Sequence, residues 1–82
     1  MSLNREIKQF ILKNYLFTED EGVLSDEDSL MKKGIIDSTG ILELIFHVEE
    51  TYKVKVADED MIPENLDSVM KIAQFIGRKR AA

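Results

Sequence analysis

Ser38 is the side chain of this sequence best placed to enter covalent chemistry. It stands in Asp37-Ser38-Thr39-Gly40, after Gly34-Ile35-Ile36 and directly before Ile41-Leu42-Glu43-Leu44-Ile45-Phe46. An irregular loop therefore feeds a helix start there, and the hydroxyl is reachable. To act as a catalytic nucleophile it would need a general base and an oxyanion hole. No histidine adjoins it, no nucleophile-elbow pattern surrounds it, and the single histidine, His47, falls 180° from it on a helical wheel. Asp37 alone is a poor base, so hydrolysis by this chain is disfavoured. The plainest structural role for the pair is a helix cap, since Asp and Ser oxygens accept from orphan N–H groups of the first turn, an interaction of about 1 kcal/mol. The carboxylate runs Glu19-Asp20-Glu21 and Asp58-Glu59-Asp60 lack the turn glycine and terminal glutamate of a calcium loop, which leaves weak surface cation binding and no built metal site.

The elements that must hold Ser38 follow from periodicity. Leu3, Ile7, Phe10, Ile11 and Tyr15 recur every three or four residues and predict a first helix over about 3–16, capped by Ser2 or Asn4. Residues 18–37 show no sustained period and read as a long loop with one helical turn near 29–32, anchored by Leu24, Leu30, Ile35 and Ile36; a loop of this length usually has a function. A second helix is expected over about 38–52. The alternation in Tyr52-Lys53-Val54-Lys55-Val56 finds no partner strand and reads as an extended connector, followed by a short helical turn capped by Asp58 and ended near Pro63. Asp67 or Ser68 then caps a last helix with Val69, Ile72, Ala73 and Ile76 on one face and Phe75 beside them, and Gly77 with Arg78-Lys79-Arg80 suits its C-terminus. The expectation is one all-α domain spanning 1–82, a small bundle of three longer helices plus one short helix, with the long loop between the first and second.

On the second helix Ile41, Leu44, Ile45, Val48 and Tyr52 share an arc of about 100° that must face the core. Ser38, Leu42, Phe46 and Glu49 occupy the neighbouring arc. Leu42 and Phe46 at i and i+4 then either cover the core edge against the loop or form a partner-docking stripe rimmed by Glu43, Glu49 and Glu50, since interfaces set apolar anchors inside a polar rim.

Composition narrows the function classes. Net charge is −5, but residues 18–67 hold 15 acidic and 4 basic side chains, while 1–17 carry +2 and 68–82 carry +4. Such an acidic belt repels nucleic acid and anionic lipid and steers basic protein surfaces toward the domain. At 82 residues the chain buries only about 60–65% of its unfolded surface, so the core must be economical. Without cysteine there is no disulfide framework, which fits a reducing, cytoplasmic setting. No stretch approaches the roughly 18 apolar residues of a membrane span, and the N-terminus lacks a signal-like pattern.

With Gly34-Ile35-Ile36-Asp37-Ser38 and the downstream Glu43, Glu49 and Glu50 on the page, the stretch from about 30 to 76 resembles acyl carrier proteins. The resemblance implies that Ser38 carries 4'-phosphopantetheine, donated from coenzyme A by a phosphopantetheinyl transferase with magnesium, that Asp37 is the flanking aspartate, and that Glu43 is the acidic residue of the exposed helix face. Thr39 and Gly40 depart from the leucine and acidic residue common in that family, which inclines the reading toward a stand-alone carrier of a dedicated pathway over the housekeeping fatty-acid protein, with fatty acid and polyketide biosynthesis the pathway classes in view. The reactive thiol would come with the cofactor, in keeping with the absence of cysteine. The implied function is non-enzymatic: acyl intermediates held as thioesters by a monomer and shuttled between an acyl- or aminoacyl-loading ligase and downstream synthase enzymes. Met31, Met61 and Met70 are candidates for a deformable pocket. The alternatives are an aminoacyl, peptidyl or D-alanyl carrier and, outside the class, an unmodified helical interaction module.

Overall fold

The computed structural model describes residues 3–81, and all regular structure within them is helical. Helix α1 (Leu3–Ile11) carries Ile7 and Ile11 one turn apart on its buried side and runs into a single wider, π-helical turn at Leu12–Leu16. It stops at Phe17, whose left-handed backbone (φ 54°) turns its N–H back to the Leu12 carbonyl; the Thr18 N–H reaches the same oxygen at 3.1 Å. Asn4 is not a cap. It lies inside α1, and its amide donates to the Asp26 carboxylate at 3.2 Å; Ser2 lies outside the described residues.

The long connection is more ordered than its composition suggests. A 3₁₀ turn at Glu21–Val23 is capped by Asp20, which accepts from the Gly22 N–H at 2.9 Å. The expected turn follows: the Ser29 carbonyl accepts from Lys33 and its hydroxyl from Lys32, and Gly34 closes the turn at φ 70°, where a side chain would be strained. Leu24, Leu30 and Ile36 are buried and Ile35 half-buried, so the four anchors face inward as expected. Asp67 clips this strap from the far end of the chain. Its carbonyl takes the Leu30 N–H at 2.8 Å, and its carboxylate takes the Met31 N–H at 3.0 Å and the Ser29 hydroxyl at 2.6 Å.

Helix α2 (Ser38–Tyr52) ends at Lys53, in left-handed conformation (φ 56°) with its N–H on the Glu49 carbonyl. Residues 53–57 form no strand; Lys53 turns the chain out of α2 and the connector is extended where it reaches Ala57. The next segment corrects the sequence reading twice. Asp58 opens a 3₁₀ turn (Asp58–Asp60) instead of capping it, the closing bond being Ala57 N–H to the Asp60 carboxylate at 3.0 Å. Pro63 starts helix α3 (Pro63–Leu66) instead of ending a helix, because proline has no N–H to lose in a first turn. Of the two candidate caps for helix α4 (Val69–Ala81), Ser68 does the work, accepting from the Lys71 N–H at 3.1 Å. Gly77 does not stop α4: the helix continues through it to Ala81.

Helix α4 packs on α1 and α3, and Ile72, Ile76 and Val69 are sealed against Ile7, Ile11, Leu12, Leu30 and Leu44. The charge segregation along the chain is partly folded away. Arg5 meets Glu21 at 3.3 Å, Lys8 meets Asp26 at 2.7 Å and Lys79 meets Asp60 at 2.7 Å, so both basic ends reach back onto the belt. Among the described residues no helix is long and apolar enough to cross a membrane.

Candidate functional site

Ser38 is the first residue of α2 and is exposed. Asp37, extended at φ −100° and ψ −174°, is the actual cap: its Oδ1 accepts from the Gly40 N–H at 2.7 Å. The Ser38 hydroxyl is thus not committed to capping. Gly40 explains itself here. Its Cα is buried, and a Cβ would lie 3.1 Å from Ile36 Cγ2 and 3.4 Å from Tyr15 Cε1, so the modest helix-propensity penalty of glycine is accepted for close packing. Tyr15 then donates its hydroxyl to the Gly40 carbonyl at 3.1 Å, tying the end of α1 to the first turn of α2. Burial, followed by the nearby carboxylates of Glu43 and Asp37, holds the Tyr15 phenol above its usual range, so it stays a donor at neutral pH.

Beside Ser38 lies an apolar groove of about 310 Å³, walled by Ile41 and Leu42 of α2, Met31 of the strap, and Met61 and Ile62 ahead of α3. Met31 and Met61 do line it; Met70, the third methionine expected there, does not, because α4 carries it elsewhere. The groove runs up to the serine. A linear pantetheine chain esterified at the Ser38 oxygen can lie along these walls or leave toward solvent, so the residues present fit such a group.

Leu42 is 56% exposed and Phe46 68%, which removes them from the core edge and leaves the neighbouring arc of α2 uncovered. Glu43 and Glu50 are exposed on the same helix. Glu49 differs: it is half-buried, and its carboxylate accepts the Val56 N–H at 3.0 Å, pinning the connector to α2. That role depends on a tertiary contact that helical spacing does not encode.

His47 is about 13 Å from Ser38 along the helix axis. Its ring stacks on Phe10 at 3.7 Å and 11°, and its Nδ1 lies 3.3 Å from Thr51 Oγ1. Burial lowers its pKa, so it sits neutral in the α1–α2 seam and is no base for the serine. The arrangement presents a hydroxyl and prepares nothing to activate it.

No family model matches the chain. The D-alanyl carrier proteins of Streptococcus pyogenes serotype M5 (strain Manfredo), serotype M49 (strain NZ131) and serotype M1 are each 39% identical to it over 61 residues, which cover 74% of this chain and 76% of each relative.

Proposed function

The chain belongs to the phosphopantetheine-binding carrier proteins, and from that premise we propose that Ser38 bears the arm and that the cargo is D-alanine. Carrier proteins of this family are non-catalytic and hold a covalent 4'-phosphopantetheine arm, whose terminal thiol supplies the thioester linkage. This chain's residues contribute presentation. Asp37 and Tyr15 fix the first turn of α2, Gly40 lets α1 close on it, and Ser38 Oγ is left exposed as the acceptor atom of a phosphodiester. Activation of that hydroxyl falls to a phosphopantetheinyl transferase, because among the described residues the neighbouring Asp37 carboxylate is engaged in capping and His47 sits in the α1–α2 seam.

The 39% identity to D-alanyl carrier proteins is the observation that carries the cargo assignment. Physical chemistry supports it. A D-alanyl thioester bears an ammonium group and needs no apolar shelter, and Glu43 and Glu50 give it an acidic surface to sit beside. An apolar acyl cargo is the second reading, favoured by the groove next to Ser38. In either case Leu42 and Phe46, with Glu43 and Glu50 as their rim, are the docking face for the transferase, the loading ligase and downstream enzymes.

Intact mass decides both parts. Incubation with coenzyme A, magnesium and a broad-specificity transferase is expected to add one arm to the wild type and none to Ser38→Ala, with the melting midpoint unchanged because Asp37 supplies the cap. Protein from its native source should carry the further mass of one alanyl group. An equal gain on Ser38→Ala refutes the attachment site, and a longer acyl mass transfers the assignment to the second reading.

A further inference from the structure

We propose that Phe17 is a second anchor for the enzyme that modifies Ser38, extending its docking face from α2 around the end of α1. This rests on Ser38 being the attachment serine. Phe17 is 85% exposed, more than any other large apolar side chain described, and it is left-handed at φ 54°. The conformation is imposed by the helix stop, where its N–H and that of Thr18 both turn to the Leu12 carbonyl. At such a position glycine is unstrained, whereas a bulky side chain is an outlier. Neither burial nor backbone preference therefore accounts for an aromatic ring here, and backbone strain held at an exposed position is a mark of sites where a ligand or partner binds.

Its place makes that partner specific. Tyr15, two residues earlier, bonds the Gly40 carbonyl, so Phe17 follows closely the contact that ties the end of α1 to the first turn of α2, two residues from Ser38. An interface of standard size covers roughly 800 Å² per partner, or about 30 Å across, wide enough for an enzyme seated on Ser38 to reach the end of α1 that Tyr15 ties to Gly40. Charge defines the rest of the partner's surface. Exposed Glu19 and Asp20 follow Phe17, and exposed Glu43 and Glu50 stand on α2, so the matching face is an apolar seat ringed by lysine and arginine.

The test measures initial rates of arm transfer by a broad-specificity phosphopantetheinyl transferase, with coenzyme A and magnesium at low salt, on wild type, Phe17→Gly and Phe17→Tyr. Phe17→Gly is expected to reach one arm per chain with kcat within about twofold of wild type, a KM for the carrier raised about tenfold, and an equal or higher Tm because the strain is relieved. Phe17→Tyr should restore KM. Phe17→Asn, which tolerates the left-handed region, gives the same reading should the glycine variant fail to fold. An unchanged KM in Phe17→Gly overturns the proposal while leaving Ser38 as the attachment site. A raised KM with a lowered Tm that tyrosine does not restore makes Phe17 structural and overturns it too. A wild-type dimer in sedimentation that Phe17→Gly abolishes, with KM unchanged, makes the occupant a second copy of this chain. A wild type that accepts no arm overturns both assignments.

Discussion

The strap over residues 24–36 and the face around Ser38 draw on the same kinds of side chain, yet the fold treats them oppositely. Leu24, Leu30 and Ile36 are sealed, whereas Leu42, Phe46, Met61 and Ile62 stand open. The boundary between the two regions passes between adjacent residues, because Leu30 is fully buried and Met31 is 45% exposed on the groove wall. Asp67 holds that boundary with its carbonyl on one residue and its carboxylate on the next. The long connection thus serves stability with its inner side and the site with its outer side.

The comparison breaks if truncations in the two regions have similar effects. Leu30→Ala should lose about 2–5 kcal/mol of unfolding free energy through its cavity. Phe46→Ala, on an uncovered face, should stay within about 0.5 kcal/mol. Urea denaturation of both, beside their rates of arm transfer, is the measurement; Phe46→Ala should slow transfer at unchanged stability. Equal losses would place Phe46 in the core.

Asp67→Ala tests the boundary itself. It removes the acceptor of the Met31 N–H and the Ser29 hydroxyl, and about 1–3 kcal/mol should be lost for groups left poorly paired. Since Met31 then loses its tether, amide exchange should quicken in the turn at 29–34 and remain slow in α4. Uniform acceleration would mean that strap and core open as one unit.

The smallest effect is expected in the α1–α2 seam. Burial lowers the His47 pKa below its unfolded value near 6.5, so the folded state binds fewer protons, and the stability it contributes is complete above about pH 6.5 and lost as pH falls through the folded pKa. Melting midpoints compared at about pH 7.5 and 5.5 should fall less in His47→Gln than in the wild type. An identical decline would assign the acid sensitivity to the carboxylates.

Ser38 and the extent of α2 were legible in the sequence because their signals are local: Asp37 caps, Ile41, Leu44, Ile45 and Val48 repeat at helical spacing, and Leu42 and Phe46 fall off that face. Pro63 was misread although its signal is also local, since proline equally ends one helix or begins the next, and only the short span from Asp60 leaves room for the second. Gly77 with three basic residues resembles a helix end, but the packing of Ile72 and Ile76 carries α4 through it. The roles of Glu49 and Asp67 and the Ile62 wall were out of reach. Each acts through a partner that tertiary folding delivers, such as the Val56 N–H for Glu49. Gly40 reads in the sequence as a departure from the family pattern; its reason is the close approach of Tyr15 and Ile36.

Arg5 and Lys8 of α1 meet Glu21 and Asp26. At the Tyr15 end, which the bond from the Tyr15 hydroxyl to the Gly40 carbonyl ties to the start of α2, Asp37 and Glu43 enter no ion pair among the described residues. Glu21 and Asp26 are thus compensated by α1, while the two carboxylates nearest Ser38 in sequence, Asp37 and Glu43, keep their charge bare of ion pairs. A basic surface within a Debye length of about 8–10 Å exerts a torque on such a body. A particle of 9.4 kDa turns readily under such a torque, so a basic partner would draw the bare carboxylates beside Ser38 toward itself before any contact forms.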